Sequence, residues 1–69
     1  MNNEWRNPVR VREDGLLITI ATAAQARSWL QHKPRGGRVW QDAITKCTAA
    51  SQGRISNDEA RLAFIKAAH

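Results

Sequence analysis

The chain is 69 residues long and carries eleven basic against six acidic side chains, a formal net charge of +5 at pH 7. That length has room for one small domain and excludes a second core. Eleven alanines stand beside only thirteen Leu, Ile, Val and Phe residues, so the core is thin, its stability is marginal, and a partner would add burial that one chain lacks.

The single cysteine, Cys47, excludes an internal disulfide and any cysteine-based zinc site within one chain. His32 and His69 lie far apart with no carboxylate cluster beside either, so neither a metal nor another cofactor is expected. The longest uncharged stretch, residues 16–26, is interrupted by Thr19, Thr22 and Gln25 and falls short of the roughly 20 apolar residues that span a bilayer. The first residues lack the apolar segment of a secretory signal. The expectation is a cytoplasmic protein with no membrane partner.

In chain order, residues 1–7 read as a flexible N-terminal arm with Trp5 as its one anchor, and residues 8–69 as a single domain. Val9-Arg10-Val11-Arg12 alternates with the period of a half-buried strand. Glu13-Asp14-Gly15 reads as a three-residue hairpin loop with a bulge, closed by a glycine in the left-handed region, and residues 16–21 form the returning strand. The alternation turns Val9, Val11, Ile18 and Ile20 inward and Arg10, Arg12 and Thr19 to solvent. Thr22-Ala23-Ala24-Gln25 is a capping box. The helix it opens carries Ala23, Ala26, Arg27 and Leu30 on one side, with Trp29 at the edge, and ends near His32 or Lys33 because Pro34 disfavours helical geometry before it. Residues 33–38 form a basic loop.

A second helix over residues 38–52 presents Trp40, Ala43, Ile44, Cys47 and Ala50 as a narrow apolar face. Asp42 and Lys46 form an i,i+4 pair, and Gly53 follows the helix where a left-handed residue is wanted. Ser56-Asn57-Asp58-Glu59 is a second capping box, with an acidic first turn that suits the helix dipole. In the third helix Ala60, Ala63, Phe64 and Ala67 share a face, while Leu62 and Ile65 project roughly opposite. Either that helix is wedged between two layers, or these two residues meet another chain. The fold class is therefore α+β, an antiparallel two-stranded β-hairpin followed by three α-helices (ββααα) that cover one face of a hairpin too weak to stand alone.

Few residues carry chemistry. A reactive thiol needs a basic neighbour or a helix N-terminus, and Cys47 has neither, sitting mid-helix on the apolar face as buried cysteines usually do. His32 lies in the last turn of a helix, where the dipole favours it, with no nucleophile placed to use it as a base. No catalytic residue is expected, and the chain is not expected to be an enzyme. Gly36-Gly37 ahead of a helix, with Lys33, Arg35 and Arg38, has the composition of an anion cradle, but lacks the Walker pattern and is also ordinary loop chemistry. Arg6, Arg10 and Arg12 form a basic stripe on the outer face of the hairpin, where charges equally serve to guard a sheet edge. These six basic residues are the candidate nucleic-acid or anion contacts. Trp5, Trp29 and Trp40 have rings that stack on bases, with Trp40 assigned to the core. Leu17, Leu62 and Ile65 are the candidate protein interface.

The order Pro8-Val9-x-Val11, Ala26-x-x-x-Leu30, the Pro34/Gly36 loop, Ala43-x-x-x-Cys47, Gly53 and Ala60-Arg61-x-x-Phe64-x-x-Ala67 resembles the bacterial family known as domain of unknown function 982, over roughly residues 5–68. Where that family often has an aromatic residue before the loop proline, this chain has Lys33. The resemblance implies a short, stand-alone, one-domain protein. It implies no activity, so no site residue comes with it.

Two functions follow as expectations. The first is a non-enzymatic interaction module that acts by contact with an unknown protein partner or as a homodimer. Edge pairing of two hairpins would then give a four-stranded sheet. The alternative is a basic nucleic-acid-binding or regulatory module that uses the arginine-rich hairpin face and the loop from Lys33 to Arg38, since seven of the eleven basic but only three of the six acidic residues lie within residues 4–38.

Overall fold

The computed structural model describes residues 4–32 and 37–68. They form strand β1 (Glu4–Glu13), strand β2 (Leu16–Thr22) and helices α1 (Ala23–His32), α2 (Arg38–Ser51) and α3 (Asn57–Ala68). The order is the ββααα expected, and the radius of gyration of 11.0 Å is that of a single compact chain of this length.

The hairpin turns tighter than its sequence suggested. Glu13 pairs directly with Leu16, so the loop is Asp14-Gly15 alone, and both have positive φ, 51° and 81°. That is a two-residue turn of the primed type, whose twist matches the right-handed twist of the strands. The three-residue loop with a bulge at this end is therefore corrected. From the turn the register runs Arg12↔Leu17, Val11↔Ile18, Arg10↔Thr19 and Val9↔Ile20. Val9, Val11 and Ile20 are buried and Ile18 half-buried, while Arg10, Arg12 and Thr19 are exposed, as the alternation required.

The irregularity lies at the other end. Between the pairs Val9↔Ile20 and Glu4↔Thr22, β1 advances five residues and β2 only two. Asn7-Pro8 falls inside this bulge, and a proline has no N–H to give to a ladder. β1 resumes pairing beyond the bulge, so residues 4–7 belong to the strand. Trp5 is only 4% exposed, and the Arg61 Nε–H donates to the Asn7 carbonyl at 2.6 Å, fastening the bulge to α3. Residues 1–3 of the expected arm lie outside the described residues.

Three helix ends are closed by the residues next to them. The Gln25 N–H donates to Thr22 Oγ1 at 3.1 Å, and Gln25 Oε1 accepts from the Ala21 N–H at 2.8 Å. The box thus reaches one residue further back than its usual form. The Glu59 N–H donates to Ser56 Oγ at 3.2 Å. At the end of α2, Gly53 has φ 76°. Its N–H donates to the Ala50 carbonyl at 3.0 Å and the Arg54 N–H to the Ala49 carbonyl at 2.9 Å, the two bonds of a Schellman motif. The Lys46 ammonium lies 3.3 Å from Asp42 on the surface of α2.

α1 packs against β2, α3 against β1, and α2 against α1 and α3. Alanines at Ala23, Ala26, Ala43, Ala60 and Ala63, all buried, let these helices approach closely. Into the remaining space goes a connected row of rings. Trp5 and Phe64 have centroids 5.8 Å apart, Phe64 and Trp29 5.6 Å, and Trp29 and Trp40 5.7 Å, all tilted or edge-on, the arrangement that aromatic quadrupoles prefer. The row ties together β1, α3, α1 and α2. The Trp40 Nε1–H donates to the Leu30 carbonyl and the Trp29 Nε1–H to Glu13 Oε2, both at 3.0 Å. The Trp5 indole N–H is buried without a hydrogen-bond partner among the described residues.

α3 is wedged between β1 and α2, and this accounts for Ile65. That side chain is half-buried against the core, so only part of it is left for contact with another chain. Leu62, one turn earlier on the far side, is 64% exposed.

Candidate functional site

The four basic candidates among the described residues, Arg6, Arg10, Arg12 and Arg38, do not form one patch. Arg10 and Arg12 stand side by side on the outer face of the hairpin, across from Thr19 and Leu17. Arg6 lies within the bulge and borders a cleft with Glu4, Ser56, Asn57 and Asp58, where the neighbouring formal charges are negative. Arg38 is exposed at the start of α2, the helix that packs chiefly on α1 and α3. Lys33, Arg35 and Gly36 lie outside the described residues, and with them most of the candidate anion loop.

Neither candidate for nucleophile or base is poised. Cys47 is fully buried, its Sγ lies 3.9 Å from the Ala60 carbonyl, and burial pushes its thiol from 9.0 up to about 11. His32 donates Nδ1–H to the Ser28 carbonyl at 2.8 Å. A carbonyl only accepts, so this bond requires a proton on Nδ1. The ring thereby satisfies a carbonyl at the end of α1. Among the described residues no group of three or more His, Cys, Asp or Glu is placed to hold a metal, and no helix is long and apolar enough to cross a membrane.

The surface that stands out runs along β2. Its seven residues, Leu16–Thr22, contain no charge, while β1 carries Arg6, Pro8, Arg10, Arg12 and a bulge. Leu16 is 68% and Leu17 61% exposed. Leu16 shares the inward face with Ile18 and Ile20 but sits at the turn, beyond the cover of α1. Leu17 shares the outer face with the arginines. Between β2 and α1 lies a groove of about 580 Å³, lined by Ile18, Thr19 and Ile20 on the strand and by Ala24, Ser28 and Trp29 among others on the helix.

The register also fixes where the backbone of β2 points. Glu13 and Leu16 flank a two-residue turn and exchange both hydrogen bonds, so bonded pairs recur at Val11/Ile18 and Val9/Ile20. The N–H and C=O groups of Leu17, Thr19 and Ala21 therefore point away from β1. The Ala21 N–H is taken by Gln25 Oε1. The outward amides of Leu17 and Thr19 have no partner among the described residues. Sequence reading picked out Leu17 but missed Leu16 and the groove. The signal it had was the absence of charge from residues 16–22.

A hairpin whose inner face is covered by α1 and α3, with α2 packed behind them and with one guarded and one unguarded edge, defines a small α+β domain with an open strand. The chain belongs to the family described as "Protein of unknown function (DUF982)", which it matches over residues 7–69. No curated protein and no solved structure matches it.

Proposed function

We propose that this protein is a non-enzymatic, cytoplasmic interaction module that acts through protein–protein contact, with a second copy of the same chain as its first partner. The observation that carries this reading is the unguarded β2, an uncharged edge strand that begins with two exposed leucines. Natural sheets blunt such edges with charge, proline or bulges, and this chain has all three on β1. The buried, hard-to-ionise Cys47 thiol and the helix-capping role of His32 support the non-enzymatic part. The test is size-exclusion chromatography with light scattering on the wild type, Leu17→Glu and Leu62→Glu. A concentration-dependent mass that one of these substitutions lowers is the expected result. A wild-type chain that stays monomeric to millimolar concentration and retains no protein in a native pull-down contradicts it.

A nucleic-acid-binding or regulatory role is the second reading. Arg10 and Arg12, exposed side by side with no carboxylate in ion-pair distance among the described residues, favour it. Phosphate contacts weaken steeply with salt, so this reading requires a low-salt gel shift with mixed oligonucleotides that salt abolishes. No shift at low salt removes it.

A further inference from the structure

Resting on the interaction reading just given, we propose that two copies pair β2 against β2 antiparallel about a two-fold axis, giving one four-stranded sheet in the order β1-β2-β2-β1. The outward amides and carbonyls of Leu17 and Thr19 set the register. An edge strand bonds its antiparallel neighbour through residues whose backbone groups face outward, and among the described residues Leu17 and Thr19 have both groups open, whereas the Ala21 N–H is taken by Gln25. The symmetric solution pairs Leu17 of each copy with Thr19 of the other and places the two Ile18 residues opposite each other on the axis.

Side chains follow from that register. On the inner face Leu16 of one copy comes opposite Ile20 of the other, at the mouth of the groove between β2 and α1. Leu16, 68% exposed in the single chain, thereby gains an apolar lining. On the outer face Leu17 stands beside Thr19, an uncharged neighbour. The α1 flank of the groove contributes Ala24, Gln25 and Ser28, which are small or neutral, while Glu13, Trp29 and His32 also line it, with the Glu13 carboxylate accepting from the Trp29 indole.

Electrostatics select this edge over the other. A chain of net charge +5 repels its own copy. With β2 strands in the middle, the Arg10 and Arg12 rows lie on the outermost strands, three strand spacings or about 14 Å apart. That exceeds the screening length of about 8 Å at physiological salt. Pairing through β1 would instead set these rows about 5 Å apart, against the proline and the bulge. The added strands also answer the weakness of a two-stranded ribbon.

The test uses the full chain and two substitutions. Thr19→Pro removes an N–H that points away from β1, which an edge strand tolerates, so the hairpin and the circular dichroism spectrum are kept while the dimer is lost. Ile18→Cys places two thiols across the axis within disulfide reach and is expected to give a covalent dimer on oxidation, whereas Arg10→Cys is not. A wild-type chain that is monomeric to millimolar concentration overturns the pairing. A dimer that Thr19→Pro leaves intact also overturns it. If Leu62→Glu breaks that same dimer, the interaction reading survives on α3 and only the β2 pairing falls.

Discussion

The two faces of the hairpin are built to opposite rules. On the inner face, Val9, Val11 and Ile20 are sealed by helices, and all four aromatic rings join in one row from β1 to α2. Two of the three indole N–H groups in that row are anchored to named acceptors. On the outer face and the β2 edge, Leu16, Leu17 and Thr19 are open and two backbone amides lack partners among the described residues. A chain so short of bulky side chains has concentrated them on one side, yet it leaves both leucines of the hairpin outside. Stability belongs to the first region, and the second is where a partner gains most by burial.

The largest expected effects break the inner region. Phe64→Ala and Trp5→Ala each cost about 3–5 kcal/mol, a large share of a small domain's stability, measured by urea denaturation. If Trp5→Ala were harmless, the segment before the bulge would be an arm after all. Next comes Cys47. Its thiol ionises near 9.0 when unfolded and at about 11 when folded, so the native state holds the proton more tightly. The contribution of this thiol to stability is therefore constant below pH 9 and falls as pH rises, by about 2 kcal/mol at pH 11. Under reducing conditions, Cys47→Ala removes that slope.

Smaller effects test the local devices. Gly53→Ala has open space for the new Cβ, so its cost of about 1 kcal/mol is purely that of a left-handed φ in a residue with a Cβ. Thr22→Ala removes the hydroxyl that caps α1 and costs about 1 kcal/mol. The smallest change sharpens the comparison most: Leu17→Glu shifts the stability of the single chain by less than about 0.5 kcal/mol while weakening its association. A loss as large as that of Phe64→Ala would mean that Leu17 belongs to the fold.

Where structure is set by neighbours along the chain, it was legible in the sequence. Thr22, Ser56 and Gly53 mark helix ends by their own chemistry, and the Val-Arg alternation sets the faces of β1. The differences share a physical origin in contacts between distant residues. Asn7-Pro8 looked like the end of a strand, and only the packing of Trp5 on Phe64 and the Arg61 bond to Asn7 carry β1 past it. Ile65 looked exposed on a helical wheel, but β1 and α2 clasp α3 from both sides. The groove beside β2 joins two elements and has no sequence signature beyond an uncharged strand. Asp14-Gly15 was legible in principle, since that pair favours the two-residue turn.

The β2 pairing is tested most directly by amide hydrogen exchange as a function of protein concentration. Leu17 and Thr19 on β2, and Arg10 and Arg12 on β1, all have amides that point out of the hairpin. The account predicts that Leu17 and Thr19 gain protection as concentration rises while Arg10 and Arg12 stay fast. Equal exchange at all four positions across the concentration range would contradict it, as would protection that appears on β1 instead.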